Sequence, residues 1–152
     1  MEHKIIPCVE GDDEFIADKL NAITDSKIDF EDTKLVEYNW SQVPAVHGFE
    51  YIRRKIQGDH DEPLAAGFVG VNFWNIAFIE MLWVDELHRN QGIGSCLLSD
   101  IEQEAKKNGA CIVMIDARDW NVDFFKKLGY TVYCTLEDHP NGYSKYKLQK
   151  QL

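Results

Sequence analysis

The chain has 152 residues, 45% of them hydrophobic and 12% aromatic, enough for one hydrophobic core and too few for a second domain of ordinary size. Its formal net charge of −10 repels nucleic acid and anionic membranes and mildly favours a cationic small molecule or basic peptide. No apolar run reaches the roughly 18 residues that span a bilayer, and MEHKIIPCVEGDDEF lacks the apolar stretch and cleavage site of a secretory signal; one cytoplasmic domain over residues 1–152 is expected.

In chain order, HKIIPCV reads as a strand. The polar segment EGDDEFIADKLNAITDSKIDFEDTKLVEYNW has apolar residues at helical spacing without a sharp face, which predicts two helices. The acidic excess lies mainly in the first 62 residues, as in EGDDEF, DFEDT and GDHDEP, and ordinary solubilising charge is the plainer account of it beside a role in steering cations. From Phe49 the pattern changes: FEYIRRKIQ, LAAGFVGVN and IAFIEMLWV, divided by turn residues, predict an antiparallel meander. The third run is the most apolar and is predicted as a central strand, with Glu80 its one charged residue.

After VDELHRNQ, the stretch GIGSCLLSDIEQEAKKNG has Ile93, Leu97, Ile101 and Ala105 every four residues and a basic last turn, which predicts a helix. ACIVMID then reads as a buried parallel strand, completing a strand, helix, strand unit over Ile76 to Asp116. A shorter helix, about Val122 to Leu128, ends at Gly129. Two last strands, YTVYCTLE and YSKYKLQ, are joined by a turn at His139 to Gly142. Cys8, Cys96, Cys111 and Cys134 form no CxxC pair and are expected reduced and mostly buried. The five histidines show no HExxH and no Cys/His ligand spacing, so no metal is expected.

Glycine costs a helix interior about 1 kcal/mol relative to alanine, so Gly92 and Gly94 at the mouth of the best helix need a compensating reason. The first turn of a helix carries unpaired N–H groups and the positive end of the macrodipole, and glycines let an anion approach them. The GxxxxGK[ST] spacing of a P-loop is absent, and GIGSCL lacks the third glycine of the dinucleotide motif. The spacing of Arg89, Gly92 and Gly94 instead resembles the [QR]xxGx[GA] loop of the GNAT superfamily of N-acetyltransferases, which holds the pyrophosphate of acetyl-CoA. IEMLWVDELHRNQGIGSCLLSDIEQEAKKNGA resembles the superfamily's central strand, loop and helix, and DFFKKLGYTVY its next helix and strand, so the likeness covers roughly Phe49 to Leu152. The first 48 residues match only in being a strand followed by helices.

The resemblance implies an α/β (α+β) fold, a central mixed, mostly antiparallel twisted sheet of six to seven strands flanked by about four helices. It implies acetyl-CoA as co-substrate and no metal. Leu82, Trp83 and Val84 would pair through their backbone with the pantetheine arm, and Arg89, Asn90, Gln91, Gly92, Ile93, Gly94 and Ser95 would surround the pyrophosphate. Asn121, just before the shorter helix, and Phe125 on it are carried over as further cofactor contacts. The implied activity is direct acetyl transfer in a ternary complex to a primary amine of a small cationic molecule or peptide, with neither nucleic acid nor membrane as partner. A CoA-binding sensor or interaction module on the same fold is the alternative, and a homodimer is left open.

Glu80 is the candidate base, since a carboxylate on the most apolar strand is expected to be partly desolvated and its pKa raised. The plainer reading is a Glu paired with a neighbouring Lys or Arg, or one that only binds the acceptor. Superfamily members commonly carry a tyrosine as acid four residues before the glycine that ends the shorter helix, where this chain has Phe125. Tyr130 is carried as the substitute acid, with Tyr133, Tyr143 or an unassisted thiolate as alternatives. Phe124, Phe125, Trp74, Trp83 and Trp120 are candidates for an apolar pocket wall, although core packing explains most such residues.

Overall fold

The structure is a computed structural model that describes residues 4–7, 30–48, 50–72 and 74–152. Its strands are β1 (Ile5–Pro7), β2 (Glu50–Gln57), β3 (Pro63–Val71), β4 (Ile76–Val84), β5 (Ile112–Arg118), β6 (Thr131–Leu136) and β7 (Lys145–Gln151). The helices are α1 (Phe30–Gln42), α2 (Ile93–Lys107) and α3 (Val122–Lys127), with a 3-10 turn at Glu86–His88. The seven strands form one sheet in the order β1-β2-β3-β4-β5-β7-β6. Every pair is antiparallel except β4 and β5, which run parallel on either side of α2 in the chain.

The mixed sheet and the meander are as expected, and β4 is the central strand. Three α-helices are described against about four expected, because the first of the two helices expected between Glu10 and Trp40 falls outside the described residues. Among the described residues no helix is long and apolar enough to cross a membrane.

The four-residue period of α2 lays Ile93, Leu97, Ile101 and Ala105 on one face, all buried against the sheet. They join one buried cluster with Ile52 and Ile56 of β2, Val69 and Val71 of β3, Val113 of β5 and Leu148 of β7. Burying a side chain such as Leu97 stabilises the fold by about 1.5–3 kcal/mol, which outweighs the glycines at the helix start. The expectation of buried cysteines is corrected: Cys96, Cys111 and Cys134 are free and exposed, and Cys8 lies outside the described residues. On α2 it is Leu97 and Leu98 that face the core, which turns Cys96 outward. Cys111 precedes β5, and Cys134 lies on the sheet's outermost strand.

Candidate active site

β4 and β5 part company halfway along. They pair only from Ile76–Ile79 to Ile112–Ile115, so Glu80–Val84 and Asp116–Arg118 diverge and leave a cleft between them. A bulge in β4 begins at the same point: Val69 of β3 lies opposite Ile79 and Phe68 opposite Met81, which leaves Glu80 as the extra residue. The bulge shifts the strand's alternation, so that both Ile79 and Leu82 pack on the core despite their odd spacing.

Two cavities adjoin at this cleft. The first, of about 530 Å³, is lined by Phe78, Glu80, Met81, Met114, Asp116, Tyr133 and Lys147 among others. The second, of about 560 Å³, is lined by Val84, His88, Arg89, Asn90, Gly92, Gly94, Ser95, Trp120, Phe124 and Lys127. Leu82, Asn121 and Phe125 line both, so a molecule long enough to fill the second cavity can present its end in the first.

The second cavity is rimmed by the start of α2 and by several cationic or protonatable side chains. Gly92 is the N-cap of α2 at φ +83°, in the left-handed region, and an added Cβ there would meet nothing within 4 Å. Its glycine is therefore required by backbone conformation, on a side that is open. Gly94 has an ordinary φ, and an added Cβ would lie 3.3 Å from Val84 Cγ2 and 3.4 Å from Phe124 Cζ, so there the glycine lets two cavity walls close up. Among the described residues no side chain caps α2, which leaves its first N–H groups available to an anion. Arg89, His88 and Lys127 add cationic or protonatable groups on the same cavity. This arrangement fits a phosphate.

Several of these groups are held in place. The Arg89 Nε donates to the Val84 carbonyl at 3.0 Å, tying the loop to the end of β4, and its Nη2 lies 3.8 Å from Glu86. His88 Nδ1 lies 2.6 Å from Asp85 Oδ2, which also accepts from the Leu87 N–H at 3.1 Å, and these bonds hold the Asp85 carboxyl below its usual range. Asn121 Oδ1 accepts from the Arg118 N–H at 2.7 Å, fixing the turn from β5 into α3.

In the first cavity Glu80 is solvent-accessible, and among the described residues no cation pairs with it. Its carboxyl is pushed above the usual range, first by desolvation between the cleft walls and then by the negative charge of Asp116. Asp116 is itself held by two cations of β7, closely by Lys145 and at 3.5 Å by Lys147.

Of the residues expected around a cofactor, Leu82, Val84, Arg89, Asn90, Gly92, Gly94, Ser95, Asn121 and Phe125 line the cavities. Trp83, Gln91 and Ile93 do not: Trp83 pairs with Ala66 on β3, Gln91 donates to the Leu87 carbonyl, and the Ile93 side chain is buried in the core. Tyr130 also lies elsewhere. It is 3% exposed and its hydroxyl donates to Glu102 at 2.8 Å; burial first, and then that carboxylate, raise its pKa far above the ordinary value. A hydroxyl so engaged is a poor proton donor to the cleft. Of the alternative tyrosines, Tyr133 lines the first cavity, whereas Tyr143 packs edge-on against Trp120 at 5.8 Å. Asp116, Lys147 and His88 also line the cleft without having been singled out in the sequence, where each is one charge among many. Among the described residues no group of three or more His, Cys, Asp or Glu is placed to hold a metal ion.

Comparison with known proteins bears on this cleft. The family model described as the acetyltransferase (GNAT) family matches residues 20–130. A blasticidin-S acetyltransferase from Streptomyces morookaense is 32% identical over 91 residues, which cover 59% of this chain and 67% of that protein. The crystal structure of an acetyltransferase from Bacillus cereus ATCC 14579 superposes with a TM-score of 0.77 at 30% identity, covering 81% of this chain and 89% of the other. An aminoglycoside 6'-N-acetyltransferase complexed with coenzyme A shares the fold, with a TM-score of 0.65, 16% identity and coverage of 97% and 96%.

Proposed function

Because the chain belongs to the GNAT family of acetyltransferases, we propose that it moves an acetyl group from acetyl-CoA to a primary amine of a small molecule at the Glu80 cleft. The observation that carries this reading is the shared wall of the two cavities, one rimmed by the Gly92 turn at the start of α2 and the other holding a carboxylate with no cation paired to it among the described residues. The antibiotic acceptors named for the relatives support a small-molecule amine.

In this reading the pyrophosphate of acetyl-CoA sits against the N–H groups at the start of α2, and the thioester end reaches the cleft past Leu82, Asn121 and Phe125. Beyond Ile79 the side of β4 that faces β5 has no strand partner, which leaves backbone groups near Leu82 to pair with the pantetheine arm and to steady the developing oxyanion. Glu80 takes a proton from the acceptor's ammonium. The freed nitrogen lone pair attacks the thioester carbonyl carbon, a C–N bond forms, and the C–S bond breaks as the carbonyl re-forms. The nitrogen's remaining extra proton ends on the departing sulfur, with the Tyr133 hydroxyl as the relay in place of the tyrosine that Phe125 replaces.

The test is thiol release from acetyl-CoA across a panel of amino acids, polyamines, aminoglycosides and peptides, alongside thermal shift with CoA. At a hundredfold excess over its Kd, CoA adds about 2.7 kcal/mol of stability, a shift of several degrees. No shift at millimolar CoA overturns the reading, whereas a shift without turnover of any amine leaves a CoA-binding module.

A further inference from the structure

Resting on the acetyl-transfer reading, we infer that the acceptor carries a carboxylate as well as its amine, and that Lys147 binds that carboxylate while Glu80 faces the amine.

The charges of the first cavity are divided between its walls. Glu80 on β4 is a single negative charge with no cation paired to it among the described residues. On the far wall Asp116 is shared by Lys145 and Lys147, so one negative charge meets two positive ones, and of the two lysines Lys147 is the one that lines the cavity. The sheet register produces this pattern. Asp116 pairs with Lys147 and Arg118 with Lys145, so alternation puts both lysines on the Asp116 side of β7.

The two lysines are not equivalent. Lys145 holds Asp116 closely and its side chain is 31% exposed, whereas Lys147 lies 3.5 Å away, is 48% exposed and lines the cavity. Lys147 is therefore the cation left to bind an incoming anion. A second cation on the acceptor would lie beside Lys147 and be repelled, while a carboxylate there would be paired. Phe78, Met114 and Tyr133 add apolar and aromatic surface to the same cavity. The cleft thus selects a zwitterionic amine over a diamine, although the chain's net charge favours cations at long range.

The test uses matched acceptors: phenylalanine with phenylalaninamide, leucine with leucinamide, and 6-aminohexanoate with 6-aminohexanamide. By thiol release, kcat/KM is expected to favour the carboxylate member by about tenfold, the scale of one hydrogen-bonded charge pair. Lys147→Gln brings that ratio close to one, Lys147→Arg keeps it, and Lys147→Glu reverses it. Thermal shift with CoA confirms that each variant is folded and binds the donor. The inference is overturned if amides equal or exceed carboxylates in the unaltered enzyme, if the ratio survives Lys147→Gln, or if diamines are turned over while no carboxylate member is. Failure to bind CoA, or to release thiol with any amine at all, defeats the acetyl-transfer reading itself and this inference with it.

Discussion

Tyr130 donates its hydroxyl hydrogen to Glu102 at 2.8 Å, and Glu102 in turn receives the Lys150 ammonium at 2.7 Å, so one carboxylate of α2 ties together the start of β6 and the end of β7. Removing the hydroxyl by Tyr130→Phe breaks a hydrogen bond to a charged acceptor. A loss of roughly 1.5–3 kcal/mol in denaturant unfolding is expected, while acetyl transfer stays within a fewfold of the unaltered enzyme. A stable variant that had lost turnover would return Tyr130 to the chemistry.

Gly92 and Gly94 separate two costs. At φ +83°, Gly92→Val strains the backbone by about 1–2 kcal/mol and projects methyl groups into open space over the helix start. Its thermal shift with CoA is expected to vanish. Gly94→Ala presses on Val84 and Phe124 from 3.3–3.4 Å, side chains that can give by a few tenths of an ångström. A weaker but measurable CoA shift is expected for that variant. Equal, undiminished shifts in both would leave the glycines with packing alone.

Much of this arrangement was legible because its signals are local. The period of α2, the apolar run of β4 and the RNQGIG turn each lie within one stretch of chain, and together they mark the parallel unit and the helix start at which the pyrophosphate is proposed to sit. The bulge at Glu80 was not legible, since IAFIEMLWV is apolar on both sides of that residue and has no alternation in which a one-residue slip could show. Nor was the engagement of Tyr130, because Glu102 lies 28 residues away and meets it only after folding. The Asp116–Lys147 pair depends on β7 inserting between β5 and β6, which no nearby residue announces.

Proton delivery to the leaving sulfur can be assigned by two substitutions. Tyr133→Phe is expected to lower kcat by about 10- to 100-fold with little change in the KM for acetyl-CoA. Phe125 is 3% exposed and lines both cavities, so Phe125→Tyr in the Tyr133→Phe background is expected to restore part of the rate. No effect of Tyr133→Phe would mean that the thiolate leaves without help.

Glu80 links stability to pH in a definite direction. Its folded pKa is raised, so its favourable contribution is complete below the ordinary carboxylate range and is lost as pH rises through the raised value. At neutral pH the ionised group is a cost. Glu80→Gln is therefore expected to have the higher Tm at pH 7, with the difference vanishing near pH 4. A Tm difference that is flat with pH would show that Glu80 has an ordinary pKa.

The pH dependence of kcat for acetyl transfer, compared between the unaltered enzyme and Glu80→Gln, tests the central claim most directly. If Glu80 takes the amine's proton, the unaltered enzyme loses rate as pH falls through a pKa above the ordinary carboxylate range. Glu80→Gln then loses about 10²- to 10⁴-fold at neutral pH, keeps its CoA thermal shift, and recovers part of the rate as alkali deprotonates the amine. Equal kcat values at neutral pH with the same acidic limb in both proteins would contradict the account.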